Sequence, residues 1–215
     1  MNLALQSLPF LTKGLLTTLQ VSALVVVLSL VLGVLLGLIL VYGPVPLRLL
    51  VRGYSDVIRG IPILVLIFAV YYGLPALKVN LNSLTAAVTA LTMFTTAQVI
   101  ETTRGAIQSI HHGQTEAGKA IGLSFAQRLV YVILPQALRR FLPPWINSVT
   151  DAVKGSALVS LIGVIDLMLA IQQVIGRVYQ PLPLYVLGAL IYFAINFSLS
   201  SLSRRLERRF AYVRE

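Results

Sequence analysis

The chain contains no cysteine, which removes disulfides, thiolate nucleophiles and cysteine-ligated metals together. Charge is scarce as well. Only 11% of the 215 residues are Asp, Glu, Lys or Arg, where soluble domains carry about 25%, so a surface facing water on all sides cannot be built. Acids are the scarcest, 7 against 17 Lys and Arg. No G-x-x-x-x-G-K-[ST] phosphate loop and no nucleophile elbow occurs, so ATP hydrolysis by this chain is not expected. No serine, histidine and acid converge on one depth, which disfavours an intramembrane enzyme. His111-His112 lacks a carboxylate or thiol nearby and reads as solvated loop rather than as a metal site. No catalytic residue and no metal ligand is assigned.

What fills the chain is apolar: 57% of residues are hydrophobic and the mean hydropathy is +0.87. About 20 apolar residues carry a helix across the hydrocarbon core. Five segments approach that length: residues 15–41 without charge, 61–77 with Pro62 near its start, 84–103, 141–165 interrupted by Asp151, Lys154 and Gly155, and 182–202. No repeat or linker divides them, so residues 1–215 are expected to form one all-α membrane domain of about five transmembrane helices. The first apolar run is too long for the core of a signal peptide, and none is expected. Ser29, Gly33 and Gly37 recur every four residues, a spacing that lets helix backbones approach closely in lipid.

Basic residues set the orientation. Thirteen of them lie in residues 42–60, in residues 104–140 and beyond Leu202, whereas Lys13, Lys78 and Arg177 lie on the opposite side. Lys and Arg favour the cytoplasmic face, which predicts the N-terminus outside and the C-terminus inside. The run from Arg204 to Arg209 reads as an anchor to anionic lipid rather than to nucleic acid.

The second inner loop, about residues 104–140, has structure of its own. Glu116-Ala117-Gly118-Lys119-Ala120-Ile121 predicts a short helix, and Gly122 can take the left-handed conformation that ends it. Ser124 and Gln127 predict a capping box for a second helix, and Pro135 a kink or end. A cytoplasmic helix-turn-helix of this kind is suited to docking.

From Glu116 through Leu134-Pro135, the loop resembles the EAA signature of permease subunits in bacterial ATP-binding-cassette importers. Glu116, Ala117, Gly122, Leu134 and Pro135 match; Gly118 replaces the usual alanine, and Val132 an isoleucine. Arg59-Gly60-Ile61-Pro62, Glu101-Thr102-Thr103-Arg104-Gly105 and Pro135-Gln136-Ala137-Leu138-Arg139 resemble further segments of the polar amino-acid uptake family, closest to its glutamate/aspartate subgroup. The resemblance implies a multi-pass protein of the bacterial inner membrane that imports a polar amino acid. It implies a second permease subunit of different sequence, two ATP-binding subunits that hold ATP and Mg, and a periplasmic or lipid-anchored binding protein. Glu116, Ala117, Gly118, Lys119, Ala120, Gly122, Leu134 and Pro135 would couple this chain to the ATPase. A stand-alone channel or secondary carrier is the rival reading, and it would need no docking helix.

Ionisable groups inside a span are costly and mark a polar path or a partner. Glu101, Asp151 and Lys154 are the candidates, each with a plainer alternative: Glu101 pairing with Arg104, and Asp151 with Lys154, at helical i,i+3 spacing. Gly155-Ser156 follows at once and suggests a broken helix whose free backbone groups could face a substrate. In the resembling family an acid stands at Gly155, as cationic substrates would require. Gln98 stands where the glutamate/aspartate subgroup often has arginine. Gln98, Glu101, Asp151, Lys154, Gly155 and Ser156 are therefore the expected substrate path, with an acidic or amide amino acid favoured over a cationic one.

Overall fold

The computed structural model describes residues 7–211; Met1 and Arg214, which enter the orientation expected above, lie outside them. Among the described residues there is no strand. Helix α1, Leu8–Tyr42, has Pro9 in its first turn, where a missing N–H costs nothing, and stops at Gly43-Pro44. Helix α2 spans Val45–Gly60. Pro62 holds Ile61 in extended backbone at φ −98° and ψ 130°, which ends α2. Helix α3, Ile63–Phe68, then runs on through a π turn at Ala69–Gly73 and a 3-10 turn at Leu74–Leu77.

Helix α4, Ser83–Gln108, is capped by Asn82, whose side chain accepts from the Thr85 N–H at 2.8 Å. Helix α5, His112–Ala120, and the single turn α6, Phe125–Gln127, form the loop element. A π turn at Arg128–Ile133 leads into α7, Leu134–Gly155, which tightens to 3-10 over Ser156–Ile162. Helices α8, Leu167–Val178, and α9, Pro181–Ala211, complete the described residues.

Among the described residues three helices, α1, α4 and α9, are individually long and apolar enough to cross a membrane; counting two bent pairs as spans gives five. Those pairs correct the expected boundaries. Residues 42–60 are not a loop: α2 is amphipathic, burying Val51, Ser55 and Ile58 and exposing Arg48, Arg52 and Arg59. With Ile63–Leu77 it forms a pair bent by 107°. The fourth segment starts at Phe125 rather than at residue 141, and its second limb, α8, turns by 50°. Pro135 neither ends nor breaks it. Proline crowds the carbonyl one turn back and donates no hydrogen bond, and the wider π turn just before it makes the room.

The core is built on α4. Its Ala86, Ala87, Ala90 and Leu91 are wholly buried with Val21 and Val25 of α1 and Ile67 of α3. The Ser29–Gly33–Gly37 stripe faces α4 of the same chain: a Cβ on Gly33 would stand 2.5 Å from Val99 Cβ, and one on Gly37 2.6 Å from Thr103 Cβ. Helix α7 runs antiparallel to α4, since Ile107 clusters with Ile133 and Phe141 at one end while Leu91 approaches Gly155 at the other. A second cluster, Leu11, Leu167, Ile171, Val174 and Leu184, ties α8 and α9 to the start of α1. Leu24, Val27, Val31 and Leu35 on α1, and Leu190, Phe193 and Phe197 on α9, remain exposed, as lipid-facing surfaces are.

Candidate functional site

The loop element forms as its residues dictate. Gly122 sits at φ +78°, a left-handed turn that costs glycine nothing. Ser124 accepts from the Gln127 N–H, and Gln127 Oε1 accepts from the Ser124 N–H at 2.8 Å, a complete capping box. Arg128 fastens the turn from beneath: its Nη1 donates to the Leu123 carbonyl at 2.5 Å, and its stem fills the space beside buried Gly118. Ala117, Lys119 and Ala120 stay exposed, and Ile121 is 76% exposed. A rigid tip with an uncovered apolar residue results. Tyr42, the last residue of α1, packs edge-on against Phe125 at 5.3 Å between ring centres, joining the tip to a span. Leu134 and Pro135 stand apart from the tip, at the start of α7. His111 and His112 are both solvent-exposed, His111 as the cap of α5 and His112 as its first residue. His111 Nδ1 accepts from the Gly113 N–H, and His112 Nδ1 stands 3.1 Å from Glu116 Oε1, one helical turn on. Among the described residues no group of three or more His, Cys, Asp or Glu could hold a metal.

A helix bend and a change of helix type meet inside the bundle. The α2–α3 bend at Ile61-Pro62 is followed by Ile63, whose side chain is the nearest neighbour of Gly155, where α7 gives way to 3-10; a Cβ there would lie 3.3 Å from Ile63 Cδ1 and 3.7 Å from Leu91 Cδ2. Backbone bonding continues at both: the Ser156 N–H donates to the Ala152 and Lys154 carbonyls, and the Ile61 N–H to the Ile58 carbonyl. Ser156 is fully buried, its hydroxyl donating to the Val153 carbonyl at 2.8 Å. Asp151 and Lys154 pair at 2.9 Å with more than half of each side chain exposed. They neutralise each other while staying accessible from one side of α7. Counting along the antiparallel helices from the Leu91–Gly155 contact, Asp151 stands about level with Thr95, and half-buried Gln98 lies within about one turn of that depth.

Glu101 lies elsewhere. It is about two turns from the Asp151 level and sits in a network of its own. Arg104 donates through Nε at 2.9 Å and Nη2 at 2.5 Å to Oε2, Arg59 approaches Oε1 at 3.8 Å, and Ser55 donates to Oε1 at 3.3 Å. One carboxylate thus holds the end of α2 to α4, helped by the Tyr54 hydroxyl on the Met93 carbonyl at 2.7 Å. The expected path residues therefore divide: Asp151, Lys154, Gly155 and Ser156 follow one another along the end of α7, Gln98 lies about two turns from the Gly155 level along α4, and Glu101 belongs to a clamp.

The sequence gives Arg59 no role beyond orientation, because α2 is not apparent there. Asp166 is missed entirely. It is wholly buried and caps α8, its Oδ1 accepting from the Leu169 N–H at 2.9 Å and its Oδ2 from the Tyr192 hydroxyl at 3.4 Å, while Thr18 Oγ1 accepts from the Leu167 N–H at 3.0 Å. Its signal is an acid standing just before an apolar helical run.

Residues 6–212 match the model of a family described as the inner membrane component of binding-protein-dependent transport systems. The chain is 38% identical over 208 residues to the probable glutamine ABC transporter permease protein GlnP of Bacillus subtilis, covering 95% of each. It is also 38% identical over 205 residues to the glutamine transport system permease protein GlnP of Escherichia coli, covering 94% of each. Among solved structures it is similar to a chain from a crystal structure of an amino acid ABC transporter with histidines, with a TM-score of 0.89, 33% identity and 96% of both chains covered.

Proposed function

Since the chain belongs to the family of inner membrane components of binding-protein-dependent transport systems and is the permease subunit of an amino-acid importer, we propose that it passes an amino acid with an amide side chain, glutamine first. The observation that carries this is the neutral junction where the α2–α3 bend meets the α-to-3-10 change of α7 at Ile63 and Gly155. Asp151 and Lys154, about one turn from that junction, cancel, no unpaired acid stands ready there for a cationic side chain, and Gln98 offers a neutral hydrogen-bonding head about two turns further along α4. A guanidinium desolvated at such a place would lack a counter-charge, a cost of several kcal/mol. The relatives' names move the expectation within the polar class from glutamate or aspartate to glutamine.

In this reading residues 1–215 act as one multi-pass domain of the bacterial inner membrane, with the N-terminus outside and the tip Glu116–Gly122 in the cytoplasm. The tip seats in a groove of an ATPase subunit that holds ATP and Mg, and the Tyr42–Phe125 contact carries its motion into α1. A second permease of different sequence completes the path, two ATPase subunits lie beneath, and a periplasmic or lipid-anchored binding protein delivers the amino acid. The test is ATP hydrolysis by the whole complex in vesicles, with each amino acid presented on its binding protein. Glutamine should stimulate most. Efficient arginine uptake by a complex containing this permease alone would overturn both the substrate class and the mixed pair.

A further inference from the structure

A pocket of about 290 Å³ opens where the C-terminal end of α1 meets α2 and the last turns of α4. Its polar wall is Arg48, Arg52, Arg104 and Gln108. Arg104 is already engaged, by Glu101 and by Gln108 Oε1 at 3.2 Å. Arg48 and Arg52, one turn apart on α2, make no ion pair among the described residues, and Asp56 one turn further on pairs with neither. The facing charges are Glu101, Arg59 and Arg104, so positive charge exceeds negative at this point. Its apolar wall is Leu40 and Val41 of α1 with Val45 and Leu49, which share one face of α2 with Arg48 and Arg52. Val45 and Leu49 are 56% and 63% exposed, and Leu50 beside them 70%.

We propose that this pocket binds the head group of an anionic phospholipid, with its phosphate on Arg48 and Arg52 and its acyl chains along Val45 and Leu49. A free phosphate would use the two guanidinium forks and gain nothing from the apolar wall. A zwitterionic lipid would use the apolar wall and bring no net charge to the arginines. Only an anionic lipid uses both walls, and the pocket stands at the end of a span, the depth at which head groups lie. The site is distinct from the basic run Arg204–Arg209, which lies on α9 and contributes no residue to it. A lipid seated there would hold α2 against α1 and α4, next to the Glu101 clamp.

The test uses the purified complex of this permease with its ATPase subunits, washed in detergent and followed by native mass spectrometry with added phosphatidylglycerol or phosphatidylcholine. The expected result is one retained phosphatidylglycerol per copy of this chain. Arg48→Gln/Arg52→Gln should weaken that retention about twentyfold, from roughly fivefold per cation near an anionic head group, with phosphatidylcholine unaffected. Arg208→Gln/Arg209→Gln should change it by less than about twofold. Equal retention by the Arg48/Arg52 variant, or an equal loss in the tail variant, overturns the proposal. Full displacement of phosphatidylglycerol by millimolar inorganic phosphate overturns it in favour of a plain phosphate site. Should the double variant fail to accumulate, Arg48→Gln and Arg52→Gln singly take its place, each with about a fivefold loss expected and no loss overturning the site.

Discussion

Gly122 stands at φ +78° with open space where a Cβ would be, so its role is conformational rather than one of packing. A side chain in the left-handed region costs about 1–2 kcal/mol, more when β-branched. That is too little to prevent insertion of five spans, but enough to re-aim a nine-residue helix. Gly122→Val should therefore reach the membrane at normal levels while ATP hydrolysis loses its dependence on the loaded binding protein. Transport at the unaltered rate would refute a coupling role for the tip. Gly155 poses the opposite question, because its Cβ position lies 3.3 Å from the mobile end of Ile63. A side chain fits if Ile63 gives by a few tenths of an ångström. Gly155→Asp should then raise the ratio of arginine to glutamine transport about tenfold, the worth of one charge-assisted hydrogen bond at ~1.5 kcal/mol. The measurement is competitive uptake with a binding protein that delivers both. An unchanged ratio would remove Gly155 from the path.

The α1–α4 seam has no such slack. Gly33 would place a Cβ 2.5 Å from Val99 Cβ and 3.2 Å from the Thr96 carbonyl oxygen, atoms that cannot swing aside. Gly33→Leu should lower the stability of the solubilised complex by about 3 kcal/mol or more, read as a fall in its thermal midpoint. Gly53→Leu, with nothing within 4 Å, serves as the control and should cost far less. Asp166→Ala should loosen α8 by about 1–2 kcal/mol through the lost cap, and Asp166→Asn, which can still accept from Leu169, by less. The seam is legible in advance, since Ser29, Gly33 and Gly37 mark a close approach by spacing alone; which helix fills it is a matter of tertiary packing. The tip is legible for the same local reason: a left-handed glycine and a capping box depend only on neighbours in sequence. Helix α2 is not. Its three arginines draw attention as charge, although Val51, Ser55 and Ile58 already carry the helical period. Glu101 shows the limit most plainly. Its i,i+3 partner Arg104 is readable, but Arg59 and Ser55 reach it only because Pro62 folds α2 back by 107° relative to α3.

Seen whole, the molecule has two unlike ends. At one, Arg177 lies 5.9 Å from the Phe10 ring at the start of α1, with Lys78 after the second span and little other charge. At the other, the end of α1 meets the tip through Tyr42 and Phe125, and Arg104, Lys119, Arg128, Arg139 and Arg140 gather in that loop region. Moving so lopsided a set of cations across a bilayer is opposed by the bias that keeps Lys and Arg on the cytoplasmic side, so the tip end should lie inside the cell. The absence of cysteine makes this directly measurable, because any thiol introduced is the only one present. Leu77 is 73% exposed, Gln180 is exposed between α8 and α9, and Ile121 is 76% exposed at the tip. In intact cells a membrane-impermeant maleimide should label Leu77→Cys and Gln180→Cys, and should reach Ile121→Cys only after permeabilisation. Labelling of Ile121→Cys alone in intact cells would invert the topology and place the tip where no cytoplasmic ATPase could reach it. Protection of Ile121→Cys even in permeabilised cells, relieved when the ATPase subunits are removed, would instead put those subunits on the tip itself.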